Sequence, residues 1–107
     1  MKDNFTYLQH ILEAIIKIEK YLENVDFKQF KDNEMMTDAV VRKLEIIGEA
    51  TNKLTIDFRN QYPDMPWGDI VGMRNRLIHD YFGVDIDLVW KTYQNNLPEL
   101  KSLLLTV

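Results

Sequence analysis

The sequence predicts an all-α protein, an antiparallel bundle of four or five helices forming one domain over residues 1–107. Three observations carry that expectation. Apolar residues recur at intervals of three and four through long stretches, prolines and glycines gather at a few breaks, and most stretches open on a side chain able to cap a helix. A chain of 107 residues has room for one core, and a second domain is not expected.

The first helix is expected from Phe5 to Leu22, with Phe5, Leu8, Leu12, Ile15, Ile18 (or its neighbour Ile16) and Leu22 on one stripe and Asp3 or Asn4 as N-cap. Phe27 to Lys31 reads as a connector with room for a short turn of helix. A second helix is expected to start near Asp32 or Asn33 and run to about Asn60, burying Met36, Val40, Leu44, Ile47, Ala50, Leu54 and Phe58, with Asp38 and Arg42 paired outside. Gly48 costs about 1 kcal/mol against alanine in mid-helix, so a close helix crossing is expected there. Pro63 and Pro66 break the chain, and proline can also pre-set the start of the next helix. The third helix is expected from Trp67 to Tyr81, ended by Gly83. The last is capped by Asp85 and carries Ile86, Val89, Trp90, Tyr93, Leu97 and Leu100 or Leu103, with Pro98 kinking or splitting it one turn earlier.

Composition narrows the functional classes. Hydrophobic residues make up 46% and charged residues 28%, which is ordinary for a folded domain. Cysteine is absent, so disulfides, thiolate zinc sites and cysteine nucleophiles are excluded, and a reducing cytoplasm is the expected location. Acid lies close to the N-terminus and no apolar run approaches the roughly 20 residues of a membrane span, so neither a signal peptide nor membrane attachment is expected. The net charge of −4 counts against a broad non-specific nucleic-acid surface and leaves room for a small basic site. A domain this small would gain buried apolar area by forming a homodimer.

The chemistry concentrates in the third helix, where Arg74, Asn75, Arg76, His79, Asp80 and Tyr81 fall within two turns. Histidine suits removal of a proton from a ribose 2′-hydroxyl. Arginine suits the charge that then develops on the phosphoryl oxygens. Asn75 could orient His79 or donate to phosphate. On an ideal helix Arg74 and His79 stand roughly 140° apart around the axis, so meeting at one substrate needs a second copy or a distorted helix end. Taken by themselves, these residues fit a solvated helix face better than a catalytic site.

The segment Arg74-Asn75-Arg76-Leu77-Ile78-His79-Asp80-Tyr81 matches the R-x-x-x-x-H-x-Y motif of the HepT toxins, and the arginine is followed by asparagine as in HEPN domains. Leu44 to Ala50, Pro66-Trp67 with Ile70 and Met73, Val84-Asp85 with Val89-Trp90, and Leu97-Pro98 resemble that family in the same order, across nearly the whole chain. The resemblance implies a helical homodimer acting as a metal-independent ribonuclease toxin on RNA. It assigns catalysis to Arg74 and His79, two copies of each meeting across the dimer, with no cofactor. It also implies a MntA-type nucleotidyltransferase antitoxin that transfers AMP onto Tyr81, placing phosphate and a bulky base where RNA phosphate must bind. The alternative is a non-catalytic HEPN module that docks a nucleotidyltransferase, a reading the acidic charge favours.

Other residues have plainer explanations. Arg76 is read as a solvated charge in preference to an RNA-backbone contact, Asp80 as solvent-facing or ion-paired, and His10 as a partly buried or surface histidine rather than a ligand. Glu45 and Glu49 lie one turn apart, but bundle di-metal sites add Glu-x-x-His pairs, which this sequence lacks. Metal is therefore not expected. Trp67, Trp90 and the Met35-Met36 pair are assigned to the core or to a dimer face.

Overall fold

The computed structural model describes residues 3–77 and 83–107. They form the expected all-α architecture, built around two long helices, α1 (Asn4–Tyr21) and α3 (Glu34–Lys53). The Asp3 carboxylate caps α1 by accepting the Thr6 N–H at 3.2 Å, and the Asn33 amide oxygen caps α3 by accepting the Met36 N–H at 3.0 Å. The two helices are antiparallel. At the start of α1, Asn4 donates to the Thr55 hydroxyl at 3.1 Å and accepts the Thr55 N–H at 3.0 Å, just beyond the end of α3.

Their shared interface is the core. Ile11, Ala14, Ile15 and Ile18 of α1 meet Val40, Leu44, Ile47 and Ala50 of α3, all buried. The buried face of α1 is therefore rotated from the expected stripe. Leu8 and Leu12 are only partly buried, and Phe5 is 64% exposed, because Ile11 and Ala14 lie nearer the centre of the contact. On α3 every expected core position from Val40 to Leu54 is buried, with Met36 and Phe58 half-buried.

Three expected boundaries change. The connector at 27–31 is a helix, α2 (Phe27–Asp32), closed by a capping box in which Asp26 accepts the Gln29 N–H at 2.8 Å and the Gln29 side chain accepts the Asp26 N–H at 2.9 Å. Six residues are too few to display an apolar period, so only the cap marks it. The helix expected to reach Asn60 stops at Lys53. Leu54 is extended, and the Thr55 hydroxyl caps α4 (Ile56–Asn60) by accepting the Phe58 N–H at 3.2 Å. The contact with Asn4 fixes that break, and it is invisible to periodicity. The third helix is interrupted at Gly72, giving α5 (Trp67–Val71) and α6 (Met73–Leu77). Trp67, Ile70, Met73 and Leu77 still face the core across the interruption.

The C-terminal run starts where expected. Asp85 caps α7 (Ile86–Lys91) by accepting the Leu88 N–H at 3.0 Å. A π-helical turn over Thr92–Asn96 follows, then α8 (Leu97–Leu104) with Pro98 in its first turn. Proline has no N–H to offer the preceding turn. The chain accommodates it with a wider turn, in which the Leu97 N–H reaches the Thr92 carbonyl five residues back. The half-buried Trp90 packs its ring 5.3 Å from Phe30 and 5.3 Å from Tyr93, which joins α7 to α2. Met35, by contrast, is 81% exposed. Lys101 of α8 pairs with Glu19 of α1 at 2.9 Å. Among the described residues, no helix is long and apolar enough to cross a membrane.

Gly48 is buried on α3 at the crossing with α5. A Cβ there would lie 3.1 Å from the Ile70 carbonyl oxygen and 3.4 Å from that of Val71. These are backbone atoms, which cannot swing aside like a flexible side chain. Gly48→Leu is therefore expected to destabilise the fold by about 1–3 kcal/mol through overpacking, read as a melting temperature several degrees lower in a thermal unfolding scan. An unchanged melting temperature would contradict the crossing.

Candidate active site

The motif segment begins on α6, and its aim is set by the core. Met73 and Leu77 are four apart and buried, so Asn75 and Arg76 are carried around the outer side of the turn. Asn75 and Arg76 are exposed there, as expected for Arg76 as a solvated charge. The backbone of Arg74 lies in α6, while its side chain is outside what the structure describes. His79, Asp80 and Tyr81 also lie outside the described residues. The flanks of that segment are tied together, because the Asp85 N–H donates to the Leu77 carbonyl at 2.8 Å, joining the end of α6 to the cap of α7. Gly83, at φ +105°, occupies the left-handed region that favours glycine.

Asn75 does not stand alone. It shares a groove of about 230 Å³ with Glu45, Gly48, Glu49, Asn52 and Val71. The bare backbone at Gly48 brings α3 close enough for its polar edge to face the start of the motif. Periodicity places Glu45, Glu49 and Asn52 on α3 but is silent about which helix they face. The mid-helix glycine between the two carboxylates is the one local signal of that approach. The described residues do not gather three His, Cys, Asp or Glu side chains into a metal site. His10 is exposed beside Tyr7, their rings edge to face at 6.3 Å, as expected of a surface histidine.

The approach to α5 is held by Trp67. Its ring is buried, and its indole N–H donates to the carbonyls of Arg59 at 2.9 Å and Tyr62 at 3.0 Å. That places Trp67 in the core rather than on an outer face. One donor serving two acceptors fixes the Gln61–Pro66 turn against the helix that follows it.

Comparison with known proteins settles the family. The model of a family described as ribonuclease HepT-like matches residues 11–107, which contain the whole motif segment. The chain belongs to the HepT-like ribonuclease family. Its relatives include "Putative RNase MJ1380" of Methanocaldococcus jannaschii, 41% identical over 101 residues, covering 94% of this chain and 93% of that one. "Probable ribonuclease HepT" of Thermococcus cleftensis is 43% identical over 96 residues, 90% of this chain and 87% of that one. "Gamma-glutamylcyclotransferase and putative RNase MJ0434", also of M. jannaschii, is 42% identical over 106 residues. Those residues are 99% of this chain and 48% of that protein, so the chain spans about half of its length. No solved structure matches the chain significantly. In this HepT-like chain Leu77 and Gly83 are the described residues that flank His79 and Tyr81, and the Leu77–Asp85 bond ties the two flanks together.

Replacing Trp67 by phenylalanine keeps most of the buried ring and removes the shared donor. Trp67→Phe is expected to cost about 0.5–1.5 kcal/mol, since the Arg59 and Tyr62 carbonyls each lose the indole donor and keep one backbone N–H, from Tyr62 and Met65. Hydrogen exchange should accelerate in the 59–71 segment more than in α1. Uniform acceleration, or none, would contradict the anchoring role.

Proposed function

We propose that the chain is a metal-independent endoribonuclease toxin in which Arg74 and His79 carry the reaction at the interface of a homodimer, and that AMP transfer onto Tyr81 neutralises it. The observation that carries this reading is the Arg74/His79/Tyr81 motif, standing complete in a chain that belongs to a ribonuclease family. The domain boundaries 1–107, RNA as substrate, a MntA-type nucleotidyltransferase as partner, and the cytoplasm as site of action belong to the same proposal.

The reaction is an in-line displacement. His79 takes the proton of a ribose 2′-hydroxyl, and the 2′-oxygen forms a bond to the adjacent phosphorus. The bond from phosphorus to the 5′-oxygen breaks, and that oxygen leaves with a proton from a conjugate acid. The products are a 2′,3′-cyclic phosphate and a 5′-hydroxyl. Arg74 neutralises the charge that grows on the non-bridging oxygens. Asn75, exposed beside the groove, supports the site by donating its amide N–H to phosphate or to His79.

A dimer supplies what one helix lacks. Arg74 and His79 sit roughly 140° apart on an ideal helix, and a second copy can bring its own pair to the same phosphodiester. Surface remains for such a partner. Phe5, Met35 and Ile56 are 64%, 81% and 68% exposed and offer apolar area to a partner.

Purified protein and RNA in chelator test the proposal. Wild type is expected to cut RNA to cyclic 2′,3′-phosphate ends, with Arg74→Ala and His79→Ala each slower by at least about 10²-fold. Tyr81→Phe is expected to keep cleaving and to resist inactivation by a MntA-type nucleotidyltransferase supplied with a nucleoside triphosphate. Equal cleavage by wild type and His79→Ala would overturn the site. No cleavage at all, combined with stable binding to the nucleotidyltransferase, would support the docking-module reading instead.

A further inference from the structure

The outer side of the α1–α3 interface carries two matched stripes. On α1 they are Tyr7, His10, Ala14 and Lys17; on α3 they are Lys43, Ile46, Ala50 and Lys53. Both follow the same spacing of three, four and three, so each set keeps to one side of its helix. The third member is alanine in both, and the two alanines are buried. Where larger side chains would fill the seam, these leave it open.

The result is a line of depressions. The first, about 240 Å³, is lined by His10, Glu13, Ala14, Lys17, Lys43 and Ile46. The second, about 180 Å³, shares His10 and Ile46 with it and adds Tyr7, Glu49, Ala50 and Lys53. Glu49 also lines the groove that contains Asn75. The first two depressions form one channel along the seam from Lys17 and Lys43 to Lys53, and Glu49, exposed on α3, stands between its end and the groove that contains Asn75. Lys43 and Lys53 are ten residues apart, roughly 15 Å along α3.

We infer that this channel holds single-stranded RNA and guides it to the Arg74/His79 site, with Lys17, Lys43 and Lys53 on successive stretches of the phosphate backbone. This inference rests on the ribonuclease reading. The charge pattern selects the ligand. Lysines alternate along the channel with Glu13 and Glu49, so cations for phosphate stand beside carboxylate acceptors. A single strand presents phosphates to the ammonium groups. Its base amines and ribose hydroxyls are donors that carboxylates accept. The Tyr7 and His10 rings offer flat surfaces on which unpaired bases stack. A duplex exposes no such faces and is read across a wide minor groove instead. The channel also accounts for RNA binding by an acidic chain, since three lysines on one seam make a local contact that net charge does not report.

The test is fluorescence anisotropy with labelled RNA of mixed sequence carrying 2′-O-methyl riboses. Such RNA cannot be cleaved by attack of its own 2′-oxygen, so binding is read apart from catalysis. The triple variant Lys17→Gln/Lys43→Gln/Lys53→Gln is expected to bind about tenfold or more weakly near 0.1 M salt. The slope of log K against log salt should fall in magnitude by about 2, at roughly 0.7 for each phosphate no longer neutralised. In parallel, the triple variant should cleave a dinucleotide as the parent does while its KM for long RNA rises. Unchanged affinity, weaker binding with an unchanged salt slope, or equal loss on the dinucleotide would each overturn the channel. His79-dependent cleavage with unaltered binding by the triple variant sinks the channel alone. Absence of His79-dependent cleavage sinks the ribonuclease reading and leaves the binding result standing.

Discussion

The surroundings of the motif hang on one close approach, the backbone of α3 at Gly48 against the carbonyls of Ile70 and Val71. Glycine in mid-helix gives up about 1 kcal/mol of helix propensity. In return α5 and α6 can settle close enough for Ile70, Met73 and Leu77 to be buried. Those positions fix the rotation of α6, and the rotation decides that Asn75 and Arg76 ride on the outer side. The same approach sets Glu45, Glu49 and Asn52 opposite Asn75. A bulkier residue at position 48 would therefore act on the surroundings of the motif as well as on stability.

A second constraint bears on how an acidic chain meets an anionic substrate. Its net charge is −4, and long-range attraction of RNA to the whole body is weak on that account. Alanines 14 and 50 keep a seam open between two helices whose lysines border it. Binding by a few placed cations, with carboxylates between them, trades reach for selectivity toward strands with free base edges. It also agrees with the neutralisation by one adenylyl group proposed above, because a site that depends on few contacts is sensitive to one added phosphate.

Much of the fold is legible in the sequence where the signal is local. The caps at Asp3, Asn33 and Asp85, the break around Pro63 and Pro66, and the disturbance one turn before Pro98 all follow from side chains near the backbone groups they serve. Gly48 is legible for the same reason. What escapes is set by distant partners or by brevity. Asn4 reaches across 51 positions to hold Thr55, just beyond the end of α3 at Lys53, α2 is too short for a period, and the rotation of α1 depends on what α3 presents to it. In the site, Arg74, His79 and Tyr81 are readable as a motif because they are close in sequence. The neighbours of Asn75, Glu49 and Asn52, come from another helix, and only the crossing at Gly48 reveals them.

If one working site needs groups from two copies of the chain, mixing Arg74→Ala with His79→Ala should show it. Each variant alone lacks one of the two groups in both copies, whereas the mixed dimer holds one intact guanidinium and one intact imidazole on different protomers. The two variants are expected to be inactive apart, and their mixture to regain RNA cleavage as mixed dimers form. Mixed dimers that form, verified by mass, and still leave RNA uncut would contradict a site shared between protomers.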